Sequence, residues 1–340
     1  MRAIDIHAHA MPMPVLEWLE GEGLADLSEV DRSATSGVIR LDPRISGVAA
    51  GTPLPLARSQ WDVPTRLREM DAAGVTHHAV SLPPFLFAST CEDMVLVAEV
   101  VRRGNDALAG YVAEAPGRLV GLGTAPVGLQ SVAEEAGRCF GLGMPGVAIG
   151  TRGAGRELDD AVNEPLWALL AERRRLAFLH PSGVPDMHRL KDFYLPQLLG
   201  YPMETAIAVT RLIFAGVRQR NPFPLCVAHG GGCLPWMRGR LDLGWDRKEV
   251  AHTTPLPPSD YVRDLFFDTA VFSNEVLADL VRDLGVDRLV VGTDFPFDLA
   301  DREPLVTVAE LGLSEPEAED VRWRTAARLL GLTEGQVQGS

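Results

Sequence analysis

Eight short apolar runs, separated by stretches of helical periodicity, constrain this 340-residue chain more than any other feature. They fall at 3–9, 78–82, 119–125, 146–151, 176–180, 225–229, 266–270 and 289–294. Each has the length of a strand and is too short for an ordinary helix. Amphipathic helical patterns lie between them, for example at 64–73, 91–115, 158–174, 205–218 and 274–284. Strands that alternate with helices pair in parallel, and eight such units predict an α/β fold of the (β/α)8 TIM-like barrel type. A doubly wound sheet is the alternative, but no Gly-x-Gly-x-x-Gly turn follows the first run. No repeat or composition break divides the chain, so residues 1–340 are expected to form a single domain. Residues 11–60, rich in Pro, Gly and Ser, are too long for an ordinary connection. They are expected to form an irregular insertion that caps the barrel mouth. A last helix, over 316–330, is expected outside the barrel.

The first run carries the chemistry. In Ala-Ile-Asp-Ile-His-Ala-His, Ile4 and Ile6 alternate with Asp5, His7 and His9. Strand periodicity puts His7 and His9 on one face, with Cα atoms about 6.6 Å apart, so both imidazoles can reach one metal ion. Three more runs end in a polar group: the fifth at His180, the sixth at His229 before three glycines, and the eighth at Asp294 in Gly-Thr-Asp-Phe-Pro. The C-terminal ends of barrel strands converge on one mouth, where barrel active sites form. A lone strand-end histidine is more often a hydrogen-bonded core residue than a ligand. Five polar groups at the same end of one barrel point to a metal site. Imidazole and carboxylate donors without a thiolate suit Zn²⁺ or a similar divalent ion such as Mn²⁺.

Composition narrows the partners. With 46 acidic and 32 basic residues the net charge is −14, which opposes nonspecific nucleic-acid binding. An anionic substrate must then be met by local arginines rather than by the overall field. The four cysteines, Cys91, Cys139, Cys226 and Cys233, show no C-x-x-C spacing, which suits buried thiols in a reducing, cytoplasmic setting. No secretory signal is visible, and no run of about 20 apolar residues predicts a membrane span.

Several segments resemble the amidohydrolase superfamily, and within it the 2-amino-3-carboxymuconate-6-semialdehyde decarboxylase family. They are Asp-Ile-His-Ala-His, Trp61-Asp62 with Met70-Asp71, the run from Leu195-Pro196 to Glu204-Thr205, His-Gly-Gly-Gly at 229–232, Gly239-Arg240-Leu241-Asp242, Pro258-Ser259-Asp260-Tyr261-Val262, and Gly-Thr-Asp-Phe-Pro-Phe at 292–297. The resemblance implies that His7, His9, His180 and Asp294 bind the metal, while His229 handles protons beside it. It implies that Arg240 crosses from a neighbouring subunit to hold a substrate carboxylate, making the active unit a homodimer. It also aligns Phe193 with an aromatic residue that lines the pocket. A second carboxylate-binding arginine of the family has no clean match here; Arg44 and Arg58 are the candidates for it. Two-metal barrels of the superfamily bridge their ions with a modified lysine on the fourth strand. The only lysines here, Lys191 and Lys248, lie off every predicted strand, which implies one divalent metal per chain.

The expected activity is metal-dependent, non-oxidative decarboxylation of a small unsaturated or aromatic carboxylic acid. The alternative on the same mononuclear site is a hydrolase, such as a lactonase or amidase, or a hydratase. A deaminase of this superfamily carries a proton-donating Glu three residues after the fifth-strand histidine; here that residue is Gly183.

Overall fold

The computed structural model describes residues 2–338. Eight parallel strands follow one another around a single sheet: β1 (Ile4–His9), β2 (His77–Ser81), β3 (Leu119–Thr124), β4 (Gly146–Ile149), β5 (Leu176–Leu179), β6 (Leu225–Val227), β7 (Phe266–Asp268) and β8 (Leu289–Val290). Every neighbouring pair is parallel. The sheet closes where β1 meets the chain after β8: Ile6 N donates to Val291 O at 2.9 Å, Asp294 N to His7 O at 2.9 Å and His9 N to Phe295 O at 2.7 Å. Each strand feeds a helix: α1 (Val63–Ala72), α2 (Met94–Ala113), α3 (Val132–Gly141), α4 (Glu164–Arg173), α5 (Tyr201–Phe214), α6 (Leu234–Arg247), α7 (Asn274–Leu284) and α8 (Thr325–Leu330). This is the predicted (β/α)8 barrel.

The strands alternate as their sequences do. Val147, Ile149, Ala177, Leu179, Leu225 and Val227 pack in one apolar cluster with Trp167 and Leu170 of α4 and Val209 and Leu212 of α5. Burying such side chains contributes about 1.5–3 kcal/mol each. Ile4 and Ile6 pack instead with Trp323, Ala326 and Leu330, so the C-terminal helix covers the seam between β1 and β8. Gly292 makes that seam possible: a Cβ there would lie 2.6 Å from Asp268 Cβ and 2.9 Å from His7 Cβ.

Three expectations need correction. Residues 11–60 are not irregular. They hold a helix (Met13–Gly21) and an antiparallel three-stranded sheet of Ala25–Asp26, Ser36–Leu41 and Leu54–Ala57. Val15, Leu16, Leu19, Ile39 and Leu56 bury this subdomain against the barrel's apolar cluster. The helix expected over 158–174 begins only at Glu164. Before it a two-residue turn, with Ala154 and Gly155 in the left-handed region, folds Arg152–Gly153 onto Arg156–Glu157. Pro165 in the first turn then sets the helix start. The final helix is interrupted by a π-type turn at Asp320–Arg324, which redirects Val321 and Trp323 into the core.

Candidate active site at the barrel mouth

The polar groups expected at strand ends do meet, and most lie just beyond the strands. β1 delivers His7 and His9, both fully buried, from its inward face. His180 is the first residue past β5, still in register through its N–H to Ile149 O at 3.0 Å. Asp294 lies four residues past β8 in a left-handed conformation (φ 63°) that turns its carboxylate back over the barrel. His7 Nε2 lies 3.1 Å from His9 Nε2 and 3.1 Å from Asp294 Oδ1, and His9 Nε2 is 3.3 Å from the same oxygen. One donor atom from each of His7, His9, His180 and Asp294 lies within 4.8 Å of all the others.

Each histidine is oriented from behind. His7 Nδ1 donates to Asp268 Oδ2 at 2.6 Å, His9 Nδ1 to Leu82 O at 3.3 Å, and His180 Nδ1 to Pro181 O at 2.9 Å. A ring that donates through Nδ1 presents its Nε2 lone pair, the arrangement of metal-ligating imidazoles. His180 Nε2 is buried with no hydrogen-bond partner among the described residues. An orphaned buried acceptor facing two more imidazoles and a carboxylate is what a cation would satisfy. The donor set of three nitrogens and one oxygen therefore fits a divalent ion.

The electrostatics agree. Burial pushes the His9 imidazole below its ordinary value and His180 well below. Burial also opposes charge on His7, but Asp294 and Asp268 outweigh it and push the group up to about 10. Burial works to raise the Asp294 carboxyl; the charge of His7, with the imidazoles of His229 and His9 also beside it, holds it well below the usual carboxylate range.

His229 stands apart from these four. It sits in the turn after β6 in a left-handed conformation (φ 56°), with Nε2 3.7 Å from Asp294 Oδ2 and Nδ1 unpaired among the described residues. Three glycines with positive φ follow it; at Gly232 a Cβ would lie 2.2 Å from Pro202 O, so only glycine allows this approach to α5.

Asp268 was not singled out from the sequence. It ends β7, and its two oxygens divide the work: Oδ2 holds His7, while Oδ1 accepts from Gly230 N at 2.9 Å. One buried carboxylate thus fixes both a candidate ligand and the turn that carries His229. Its signal was present, since Phe-Phe-Asp is also an apolar run with a polar end. Arg66 of α1, fully buried, donates to the His9 carbonyl, to Tyr111 Oη at 2.8 Å and to His78 Nδ1 at 3.0 Å, securing the end of β1.

Above this floor lies a cavity of about 630 Å³. Phe85, Tyr194, Tyr201, Trp236, Phe272 and Phe297 line much of it, and Val48 and 52–55 of the insertion form part of its wall. The structure does not bring Phe193, Arg44 or Arg58 to this cavity. Phe193 is 87% exposed, and its neighbour Tyr194 lines the wall instead. Arg44 is bound to Asp42 through two hydrogen bonds of 3.0 Å, and Arg58 faces Asp62 Oδ2 at 3.6 Å and Trp61. Arg240 is exposed on α6 with no ion-pair partner among the described residues. A pair with Asp242 does not form, because Asp242 accepts from Ser259 N at 2.9 Å. Neither lysine lies on a barrel strand: Lys191 follows a short helix and Lys248 follows α6.

Residues 4–332 match the family model described as Amidohydrolase. The chain is 32% identical over 280 residues to the 2-amino-3-carboxymuconate-6-semialdehyde decarboxylase of Dictyostelium discoideum, covering 80% of this chain and 77% of that one. It is 30% identical over 258 residues to the gamma-resorcylate decarboxylase of a Rhizobium species, covering 70% and 77%. The fold is shared with the dihydroxybenzoic acid decarboxylase of a Polaromonas species, solved with bound manganese and 2-nitroresorcinol: TM-score 0.77, 23% identity, covering 97% of this chain and 96% of that one. The chain belongs to the amidohydrolase family, in the branch that holds these decarboxylases.

Proposed function

We propose that this protein is a metal-dependent, non-oxidative decarboxylase of a small unsaturated or aromatic carboxylic acid, a carboxy-lyase with one divalent ion per chain. The observation that carries this reading is the set of three Nε2 lone pairs and one carboxylate at the floor of an aromatic cavity, with His229 beside them and outside the set. His7, His9, His180 and Asp294 would hold the ion. We assign Zn²⁺, with Mn²⁺ also suited to this donor set. The ion supplies Lewis acidity and a bound water of lowered pKa.

The chain's own groups do the rest. Phe85, Phe297 and Tyr201 line the cavity; packed on the substrate's ring they would exclude water and fix the carbon bearing the carboxylate over the floor. His229 delivers a proton to that carbon. The carbon–carboxylate bond then breaks, its electron pair restores the unsaturated system, and CO₂ leaves. The net change is uptake of one proton and loss of CO₂, with no oxidant or reductant.

The active unit in this proposal is a homodimer in which Arg240 reaches the partner's cavity and grips the substrate carboxylate. Support comes from the surface around it. Leu199, Met203 and Ile207 beside and along α5, with Trp236, Met237 and Leu243 of α6, are large apolar side chains left exposed, and the two helices pack side by side. Such a patch marks an interface. We assign the protein to the cytoplasm, with four cysteines that are free of disulfides as support. Among the described residues no helix is long and apolar enough to cross a membrane. The test is CO₂ release from unsaturated and aromatic acids by metal-loaded protein. Hydrolysis of lactones or amides without CO₂ release from any acid would overturn the reading.

A further inference from the structure

The same cavity is unusual in the charge it lacks. Among the described residues that line it, none is Lys or Arg. Its charged or ionisable members on the floor are His180, His229 and Asp294, all within the candidate catalytic group. Above the floor the only charged side chain among the described residues is Asp298, at the mouth, accepting from Tyr194 Oη at 3.3 Å. Arginines close in sequence to the wall are engaged elsewhere: Arg238 with Asp283, Arg302 with the Phe297 carbonyl, Arg44 with Asp42 and Arg58 with Asp62. What the wall offers instead is neutral. The Tyr201 hydroxyl makes no hydrogen bond among the described residues, and its ring stands 6.3 Å from that of His180. Burial pushes its phenol up to about 12, so it remains a donor. Gln197 adds an amide on the same side.

We propose that this cavity takes a ring acid carrying a single carboxylate, with neutral substituents facing Tyr201 and Gln197, and rejects an acid carrying a second carboxylate. The proposal rests on reading the cavity as the substrate site. One carboxylate can be met at the floor and by the partner's Arg240. A second would enter an apolar wall with no cation and with Asp298 of like charge at the exit. An ionised carboxylate buried without a partner is strongly disfavoured, and placing like charges together is how a site discriminates. The semialdehyde named for the Dictyostelium relative carries two carboxylates, so this chain is expected to reject it although the two sequences are 32% identical.

The test separates charge from shape. Nitro and carboxylate groups are nearly isosteric, so 2-hydroxy-5-nitrobenzoate and 4-hydroxyisophthalate differ chiefly by one negative charge. Titration of each into metal-loaded protein by calorimetry should show the monoacid binding tighter by roughly 10²-fold. Equal or tighter binding of the diacid would overturn the proposal. Asp298→Asn, a change at the exposed mouth, should narrow the ratio several-fold; an unchanged ratio would remove Asp298 from the account. CO₂ release is read separately. If the binding preference holds and no acid releases CO₂, the selectivity stands and the decarboxylase reading falls.

Discussion

The floor and the wall of this cavity are built on opposite principles. On the floor, each candidate imidazole ligand is held from behind: His7 by Asp268, His9 by the Leu82 carbonyl, His180 by the Pro181 carbonyl. Asp5 ties the two ends of the barrel together beneath them, accepting from Thr293 Oγ1 at 2.6 Å and from His7 N at 2.9 Å. The wall is made largely of aromatic side chains on loops and on the first turns of α5 and α6, joined by Val48 and 52–55 of the insertion; several are exposed, Phe272 to 57% and Trp236 to 56%. Polar constraint fixes the floor, while apolar contact shapes the wall. Chemistry therefore belongs to the barrel and selectivity to the loops, a division expected of strand-end sites.

The largest break in that comparison is removal of a floor ligand. His180→Ala should lose metal and activity together, because the ion loses a donor that nothing nearby replaces. Elemental analysis should fall from near one ion per chain toward zero, with CO₂ release at background. Full metal content in the variant would place the ion elsewhere, and near two ions per wild-type chain would end the mononuclear reading.

His229→Ala tests where the floor stops. It should retain the metal and lose kcat by roughly 10²–10⁴-fold, the range for a positioned acid–base group. Turnover at the wild-type rate in a metal-replete variant would reduce His229 to packing.

Asp268→Asn probes the hold from behind and should be milder. It should weaken metal binding by about 10–100-fold, the usual cost of losing an outer-shell partner. A pH series sharpens this. In the metal-free site His7 is held at about 10, while His9, His180 and Asp294 lie below their ordinary values. Between pH 7 and 10 the ion must therefore displace one proton, that of His7. Affinity should rise about tenfold per pH unit and level off near 10. In Asp268→Asn the plateau should begin at lower pH, since one of the two carboxylates raising His7 is gone. Calorimetry in buffers of different ionisation enthalpy measures the released proton; none released would contradict this account.

The same division explains what the sequence made legible. His7 and His9 could be located because strand alternation fixes their face, and His180, His229 and Asp294 because each ends an apolar run. Asp268 is harder to locate, because the apolar pattern runs on through Thr269 to Ala270 and places it inside the run, whereas the strand itself stops at Asp268. The wall was harder. Phe193 and Tyr194 are adjacent residues with φ of 58° and 60°, so no period says which of them faces inward, and only Tyr194 does. In the insertion, strands as short as Ala25–Asp26 and Leu54–Ala57 carry too few residues, and too much proline, to announce a sheet. The π-type turn in the C-terminal helix comes from packing of Val321 and Trp323, which propensity does not register.

The last test asks whether the wall is finished by a second chain, and its expected signal is the smallest. Arg240 is exposed on α6 and unpaired among the described residues, while the cavity wall has no cation of its own. If Arg240 works across a two-fold interface, an Arg240→Ala chain and a His229→Ala chain each build defective sites when alone. In a mixed dimer one site combines the intact His229 of the first chain with the intact Arg240 of the second; the other site lacks both. With equal amounts and random exchange about half the dimers are mixed, and each has one working site of two, so activity should recover to about a quarter of wild type. Subunit exchange has to be verified independently, for example by energy transfer between labelled chains. Recovery near a quarter supports an arginine shared between subunits. Exchange without recovery means that Arg240 acts in its own chain or does not touch substrate, and the substrate carboxylate must then be held by the floor alone.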